Sequence, residues 1–140
     1  MTNNRNEIRS RRLLMKSTFA EEGVESDQQK QLPQPPLTKE ATSGSIIKLT
    51  EDFSAVIKKS DYLTLVMERK SNRVYKKESV TLEQLSFLLW TTQGIKEIRG
   101  DNYATVRPVP SAGARHAFET YIAVLNVEGL EKGVYHYLPM

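Results

Sequence analysis

Hydrophobic and polar positions change their rhythm near residue 45. Upstream, large apolar side chains are sparse, and the stretch from Asp27 to Pro36 is Gln, Lys and Pro around Leu32. Pro33, Pro35 and Pro36 fix φ and remove amide donors, which forbids a helix and favours an extended path. Such a segment is either a disordered tail or an arm laid across a partner surface, and its composition fits both. Downstream, apolar residues recur at regular spacings. The pattern therefore divides the chain into a basic, Gln/Pro-rich arm over residues 1–45 and a folded region over residues 46–140.

Within the folded region, Ile46-Ile47-Lys48-Leu49 predicts a short strand. Thr50 then offers a helix N-cap, with Glu51 and Asp52 where the helix dipole favours acids. Phe53, Val56, Ile57, Leu63, Val66 and Met67 follow at roughly helical spacing, which predicts one helix, broken near Ser60-Asp61 and ending close to Arg69. Thr81-Leu82-Glu83-Gln84 is a capping box: the Thr81 hydroxyl accepts from the third helical amide while Gln84 reaches back. Leu82, Leu85, Leu88 and Leu89 form an apolar stripe beside Phe87 and Trp90. The helix is expected over 82–93, with Gly94 ending it in the left-handed conformation. Lys96 to Val106 reads as a loop with Gly100-Asp101-Asn102 at its tip.

The last part of the chain alternates. From Glu119 to Val127, Tyr121, Ala123 and Leu125 fall on one face, and Thr120, Ile122 and Val124 on the other. Both faces are largely apolar, so this strand is expected to be covered on both sides. Val134-Tyr135-His136-Tyr137-Leu138 predicts a second strand. Gly129 and Gly133 bracket a hairpin connection longer than a two-residue turn.

Composition narrows the chemistry. The 140 residues suffice for one domain, and 26% charged with 39% hydrophobic residues is ordinary for a globular chain. A net charge of +3 does not by itself argue for nucleic acid. The absence of cysteine excludes disulfides, thiolate metal sites and cysteine nucleophiles, and two histidines, His116 and His136, argue against a multi-histidine metal site. No apolar run approaches the roughly 18 residues of a membrane span. Leu13-Leu14-Met15 is too short for a secretory signal core, so the expected compartment is the cytoplasm. Arg5, Arg9, Arg12 and Lys16 would share one helical face. A transit peptide or RNA-binding arm would use such a face, but Glu7, Glu21 and Glu22 favour a solvated helix.

Two segments could carry chemistry. Arg69-Lys70-Ser71-Asn72-Arg73 sets three cations and a hydroxyl next to a helix end. Arginine forks match phosphate oxygens bidentately, and in one helical turn Arg69 and Arg73 would project to the same side. Taken alone, the run reads first as solvated surface, with phosphate binding as the alternative. Pro110-Ser111-Ala112-Gly113 has small side chains that admit a flat ligand to the backbone amides, and Ser111 could cap a short helix at Ala112. A plain turn and cap is the simpler reading. Ser111, His116 and Glu119 have triad residue types, but the glycine-flanked nucleophile turn of hydrolases is absent. No phosphate-binding loop or dinucleotide fingerprint is present. Trp90 and the tyrosines read as core and interface residues.

Four segments occur in one order: Arg69 to Arg73; Leu82-Glu-Gln-Leu-Ser-Phe-Leu-Leu-Trp-Thr-Thr-Gln-Gly94; Arg107-Pro-Val-Pro-Ser-Ala-Gly-Ala-Arg-His116; and Asn126-Val-Glu-Gly-Leu-Glu-Lys-Gly-Val-Tyr-His-Tyr137. Together they resemble the nitroreductase family and, within it, the SagB-type dehydrogenase branch. Met15-Lys16-Ser17 and the Gln/Pro stretch resemble the N-terminal extension of that branch. The resemblance implies an α+β, nitroreductase-like FMN-binding fold, of which this chain holds the N-terminal half, in a homodimer with flavin at the subunit interface. It assigns Arg69 and Arg73 to the FMN phosphate, Ser71 as a hydroxyl donor and Lys70 as an assistant. It lays Pro110, Ser111, Ala112 and Gly113 against the isoalloxazine ring, often from the other subunit. Arg115 and His116 stand where many relatives carry apolar or aromatic residues. The implied activity is hydride transfer through flavin, with NAD(P)H or another electron donor and a small-molecule or modified-peptide substrate; the branch includes enzymes that oxidise azoline rings. The composition leads to no expected metal, nucleic acid or membrane partner, and the resemblance names no catalytic side chain. Because family domains continue beyond the tyrosine-rich strand, the alternative expectation is a truncated, inactive fragment that needs a second chain to form the flavin site.

Overall fold

A computed structural model describes residue 9, residues 25–41 and residues 44–139. The chain separates into two units, residues 1–35 and 36–140. In the first, Ser26 opens a turn: the Gln29 side chain accepts from the Ser26 amide at 2.7 Å, and the Lys30 amide donates to Ser26 O at 3.0 Å. The proline stretch beyond it carries no helix. The basic face expected over Arg5–Lys16 lies outside the described residues apart from Arg9, as does Met15-Lys16-Ser17.

The second unit mixes helix and strand. Helix α1 spans Tyr62–Glu68, helix α2 Leu82–Gln93, and strands β1 Glu97–Arg99, β2 Ala104–Val106, β3 Thr120–Val124 and β4 Gly133–Tyr137 follow, with a 3-10 turn at Ala112–Ala114 between β2 and β3. The strands form two antiparallel pairs, β1 with β2 and β3 with β4. The second pair sets Tyr121 opposite His136 and Ala123 opposite Val134.

Helix α2 follows the sequence closely. Thr81 accepts from the Gln84 amide at 3.3 Å, and Gln84 Oε1 accepts from the Thr81 amide at 3.1 Å, completing the capping box. Replacing Thr81 by Ala is expected to cost about 1 kcal/mol, read as a lower urea midpoint at unchanged slope. Leu89 is buried in this helix, and Val124 is buried on β3. Phe53 packs on Phe87 and Trp90, with ring centroids 5.3 and 5.4 Å away. Val80 joins α2's entry to the β3–β4 connection: its amide donates to Asn126 O at 3.1 Å and its carbonyl accepts from the Glu128 amide at 2.9 Å.

Several expectations are corrected. Gly94 ends α2, but at φ −57° rather than in the left-handed region. Its missing side chain matters for space, because a Cβ there would lie 2.4 Å from Trp90 Cδ1. The loop expected over 96–106 is the β1–β2 hairpin, turned by Gly100 and Asn102 at φ 63° and 54°. Residues 46–49 form no strand, since no other described segment pairs with them, and Ile46 is 76% exposed. The long helix from Phe53 reduces to a turn, in which the Val56 and Ile57 amides donate to Phe53 O, and α1 restarts beyond the break. Thr50 and Asp52 side chains cap that turn alone. Asp61 caps α1, accepting from the Thr64 amide at 2.7 Å. Cover on both faces of β3 is not found either. Val124 is 3% exposed but Tyr121 57% and Leu125 72%, because a two-stranded sheet meets the rest of this unit on one face. Tyr62, Tyr75, Tyr103 and Tyr121 are likewise exposed rather than core.

Candidate functional site

The two sequence-derived segments both lie at the surface. Helix α1 stops at Glu68. Arg69 donates its amide to Leu65 O at 3.0 Å and then turns extended, at φ −60° and ψ 125°. Residues 69–73 are therefore not a helical turn. Ser71 and Asn72 compete for backbone hydrogen bonds and are poor helix extenders, which accounts for the stop. Arg69, Lys70, Ser71 and Arg73 thus lie in irregular chain directly after α1, with no helical repeat to order them. All four are exposed, and none of the three cations pairs with a carboxylate among the described residues.

The Pro110–Gly113 turn is tighter than its sequence suggests. Ser111 does not cap the 3-10 turn; its hydroxyl accepts instead from the His116 amide at 2.9 Å. That bond closes a loop in which Gly113, Ala114 and His116 have φ of 60°, 54° and 45°. Positive φ strains the alanine and the histidine, and strain of this kind costs on the order of 1–3 kcal/mol per residue. At Gly113 the need is conformational, since a Cβ would meet only the Arg115 side chain at 3.8 Å. Pro110, Ser111, Ala112 and Gly113 are all exposed. No hydrogen bond or ion pair among the described residues joins this turn to residues 69–73. Ser111, His116 and Glu119 do not form a triad: Ser111 Oγ is engaged by a backbone amide, and Glu119 Oε2 lies 2.6 Å from His136 Nε2.

A third place escaped the sequence reading. A shallow cleft, open to solvent, is lined by Gln93, Arg107, His116, Phe118, Glu119 and Tyr137 among others. Arg107 anchors it. Its Nη1 donates to Gln93 O at 3.1 Å and Gln93 Oε1 at 3.2 Å, while Nε donates to Thr105 Oγ1 at 3.1 Å. One side chain thus ties the C-terminal end of α2 to β2 and fixes where the Pro110 turn begins. Burial lowers the Arg107 pKa, opposed by the charges of Tyr137 and Glu119. Burial, and then Arg107, hold His116 below 6.5. Burial raises the Tyr137 phenol, which Arg107 opposes and Glu51 reinforces. Across the hairpin, the His136 ring stacks on Tyr121 with centroids 4.5 Å apart. Gln93, Arg107, His116 and Tyr137 all fall in the ordered segments, but nothing in their spacing joins them into one cleft. No group of three or more His, Asp or Glu among the described residues could hold a metal ion. No helix among them is long and apolar enough to cross a membrane.

No family model matches the chain. A Methanocaldococcus jannaschii protein named "Putative nitroreductase MJ1384" is 40% identical to it over 75 residues, which is 54% of this chain and 35% of that protein. The similarity supports the nitroreductase family and an oxidoreductase reading. The chain spans about a third of that relative's length.

Proposed function

We propose that this chain supplies part of an FMN site in a nitroreductase-family oxidoreductase of the SagB-dehydrogenase type. The observation that carries the reading is the 40% identity over 75 residues to a protein whose name is that of a nitroreductase. The geometry adds chemical fit at both ends of such a cofactor. Arg69, Lys70 and Arg73 are exposed cations without carboxylate partners among the described residues, and Ser71 offers a hydroxyl within the same segment; that donor set suits a dianionic phosphate. The Pro110–Gly113 turn is exposed, small in side chain and rigidly closed by the Ser111–His116 hydrogen bond, which suits it to lie against a flat ring.

Bound FMN would supply hydride acceptance and onward electron transfer, and the protein would supply position and electrostatics. In this reading Arg69 and Arg73 hold the phosphate, Ser71 bonds an oxygen beside them, Lys70 adds charge, and Pro110, Ser111, Ala112 and Gly113 shield one face of the ring from water. In this reading the protein is a homodimer in which each copy completes the other's site. A cytoplasmic enzyme using NAD(P)H or another donor on a small-molecule or modified-peptide substrate is the corresponding whole. A second reading, in which this chain is inactive until another polypeptide completes the site, is favoured by its sparse core. Among the described residues only Leu89 and Val124 are buried apolar side chains, while Leu63, Met67, Tyr75 and Val134 are each more than half exposed. The absorbance spectrum of the purified protein tests the proposal. Flavin bands that survive gel filtration at a mass of two copies support it. A colourless protein that also fails to take up added FMN overturns the reading that this chain holds flavin by itself.

A further inference from the structure

The cleft around Arg107 contains a cation whose hydrogen-bond acceptors are all neutral. A guanidinium has five N–H donors. Its three bonds, to Thr105 Oγ1, Gln93 O and Gln93 Oε1, occupy Nε and Nη1 and leave the Nη2 pair without an acceptor among the described residues. Glu119 acts on Arg107 through its charge, yet its Oε2 is held by His136 at 2.6 Å. Two further donors line the same cleft. Burial keeps the Tyr137 phenol protonated, so it can donate. His116, held below 6.5, is neutral at physiological pH and keeps one ring N–H. Phe118 is 84% exposed at the rim and presents an aromatic wall.

We propose that this cleft is an oxyanion subsite that takes a carboxylate or phosphate group on the Nη2 edge of Arg107, with Tyr137 Oη and His116 as additional donors. Charge-assisted hydrogen bonds of this kind are about twice as strong as neutral ones, and Arg107 is already oriented by its bonds to α2 and β2, so little freedom is lost on binding. The subsite is separate from residues 69–73 and stands whether or not the chain holds flavin.

The test titrates flavin-free protein with sodium acetate, sodium benzoate and inorganic phosphate at constant ionic strength, following the His116 ring protons by NMR, assigned with His116→Gln. The expected result is a saturable shift. Tyr137→Phe, which removes one donor and keeps the ring, should weaken it about fivefold. Arg107→Lys, which keeps the charge and loses the fork, should weaken it about tenfold or more. A variant carrying Arg69→Gln and Arg73→Gln should bind as the parent does. Preference for benzoate identifies a carboxylate beside the Phe118 ring, and preference for phosphate identifies a phosphate group. A drift that chloride reproduces, an affinity unchanged in Tyr137→Phe, or binding lost in the Arg69/Arg73 variant overturns the proposal. Because Arg107 also joins α2 to β2, Tyr137→Phe decides the matter should Arg107→Lys fail to fold.

Discussion

Replacing Arg69 and Arg73 together by Gln is expected to lower FMN affinity by about 100-fold or more. Each hydrogen bond to a charged group contributes roughly 1.5–3 kcal/mol, and two such losses correspond to at least two decades in the dissociation constant. Ser71→Ala should cost about fivefold, as a single neutral donor does. Lys70→Gln should cost less than either arginine, because an ammonium is a point charge without the guanidinium's two-pronged fork for phosphate oxygens. The measurement is quenching of FMN fluorescence on titration with protein, at one fixed ionic strength, since screening alters all charge contributions together. These side chains are exposed and make no ion pairs with described residues, so the unfolding midpoint should not move. Equal affinities for the parent and the double variant would remove the phosphate assignment. A Lys70 effect as large as that of Arg69 would reduce it to a diffuse basic patch.

The order of effects separates what was legible in the sequence from what was not. Helix α2 was legible because its signals are local: Thr81 and Gln84 bond each other across one turn, and the leucine stripe repeats within twelve residues. The β3–β4 hairpin was legible because its strands alternate and its connection is bracketed by glycines. Residues 46–49 have the composition of a strand, but a strand exists only where another segment pairs with it. The β1–β2 hairpin failed in the opposite sense. Its strands are three residues long, too short for alternation to register, and Gly100 with Asn102 supplied the only cue.

The candidate site divides on the same line. Residues 69–73 and 110–113 are contiguous, so motif resemblance could select them, though not their conformation. The hydroxyl of Ser111 looked like a helix cap and instead closes a loop onto the His116 amide, a bond that depends on positive φ at three nearby residues. The Arg107 cleft is drawn from the end of α2, the residue after β2, the loop after Gly113 and the paired ends of β3 and β4, and no linear pattern joins those residues. It becomes visible only when the donors of one guanidinium are matched to their acceptors.

The glycine at the end of α2 makes the sharpest stability prediction. A helix-ending glycine with positive φ tolerates Asn, and its replacement by Ala costs about 1 kcal/mol of backbone strain. Gly129, at φ 76° with nothing within 4 Å of a Cβ, is of that kind, and Gly129→Asn should be near neutral. Gly94 is not. Its φ is −57°, a value any residue adopts, so strain is not the issue. A Cβ there would lie 2.4 Å from Trp90 Cδ1 and 2.7 Å from the Trp90 carbonyl oxygen. The indole cannot swing clear without leaving Phe53, 5.4 Å away between ring centroids, and no rotamer change moves a carbonyl in the last helical turn. Gly94→Ala is therefore expected to destabilise the chain by about 1–3 kcal/mol, with Gly94→Asn no better. For a unit whose buried apolar side chains are Leu89 and Val124 among the described residues, that is a large share of a marginal stability. Trp90 is the single tryptophan, so urea unfolding followed by its fluorescence reports from the contact in question. A Gly94→Ala midpoint equal to the parent's would mean that the helix end relaxes away from Trp90. A Gly94→Asn variant more stable than Gly94→Ala would return the position to the left-handed helix stop that its sequence suggests.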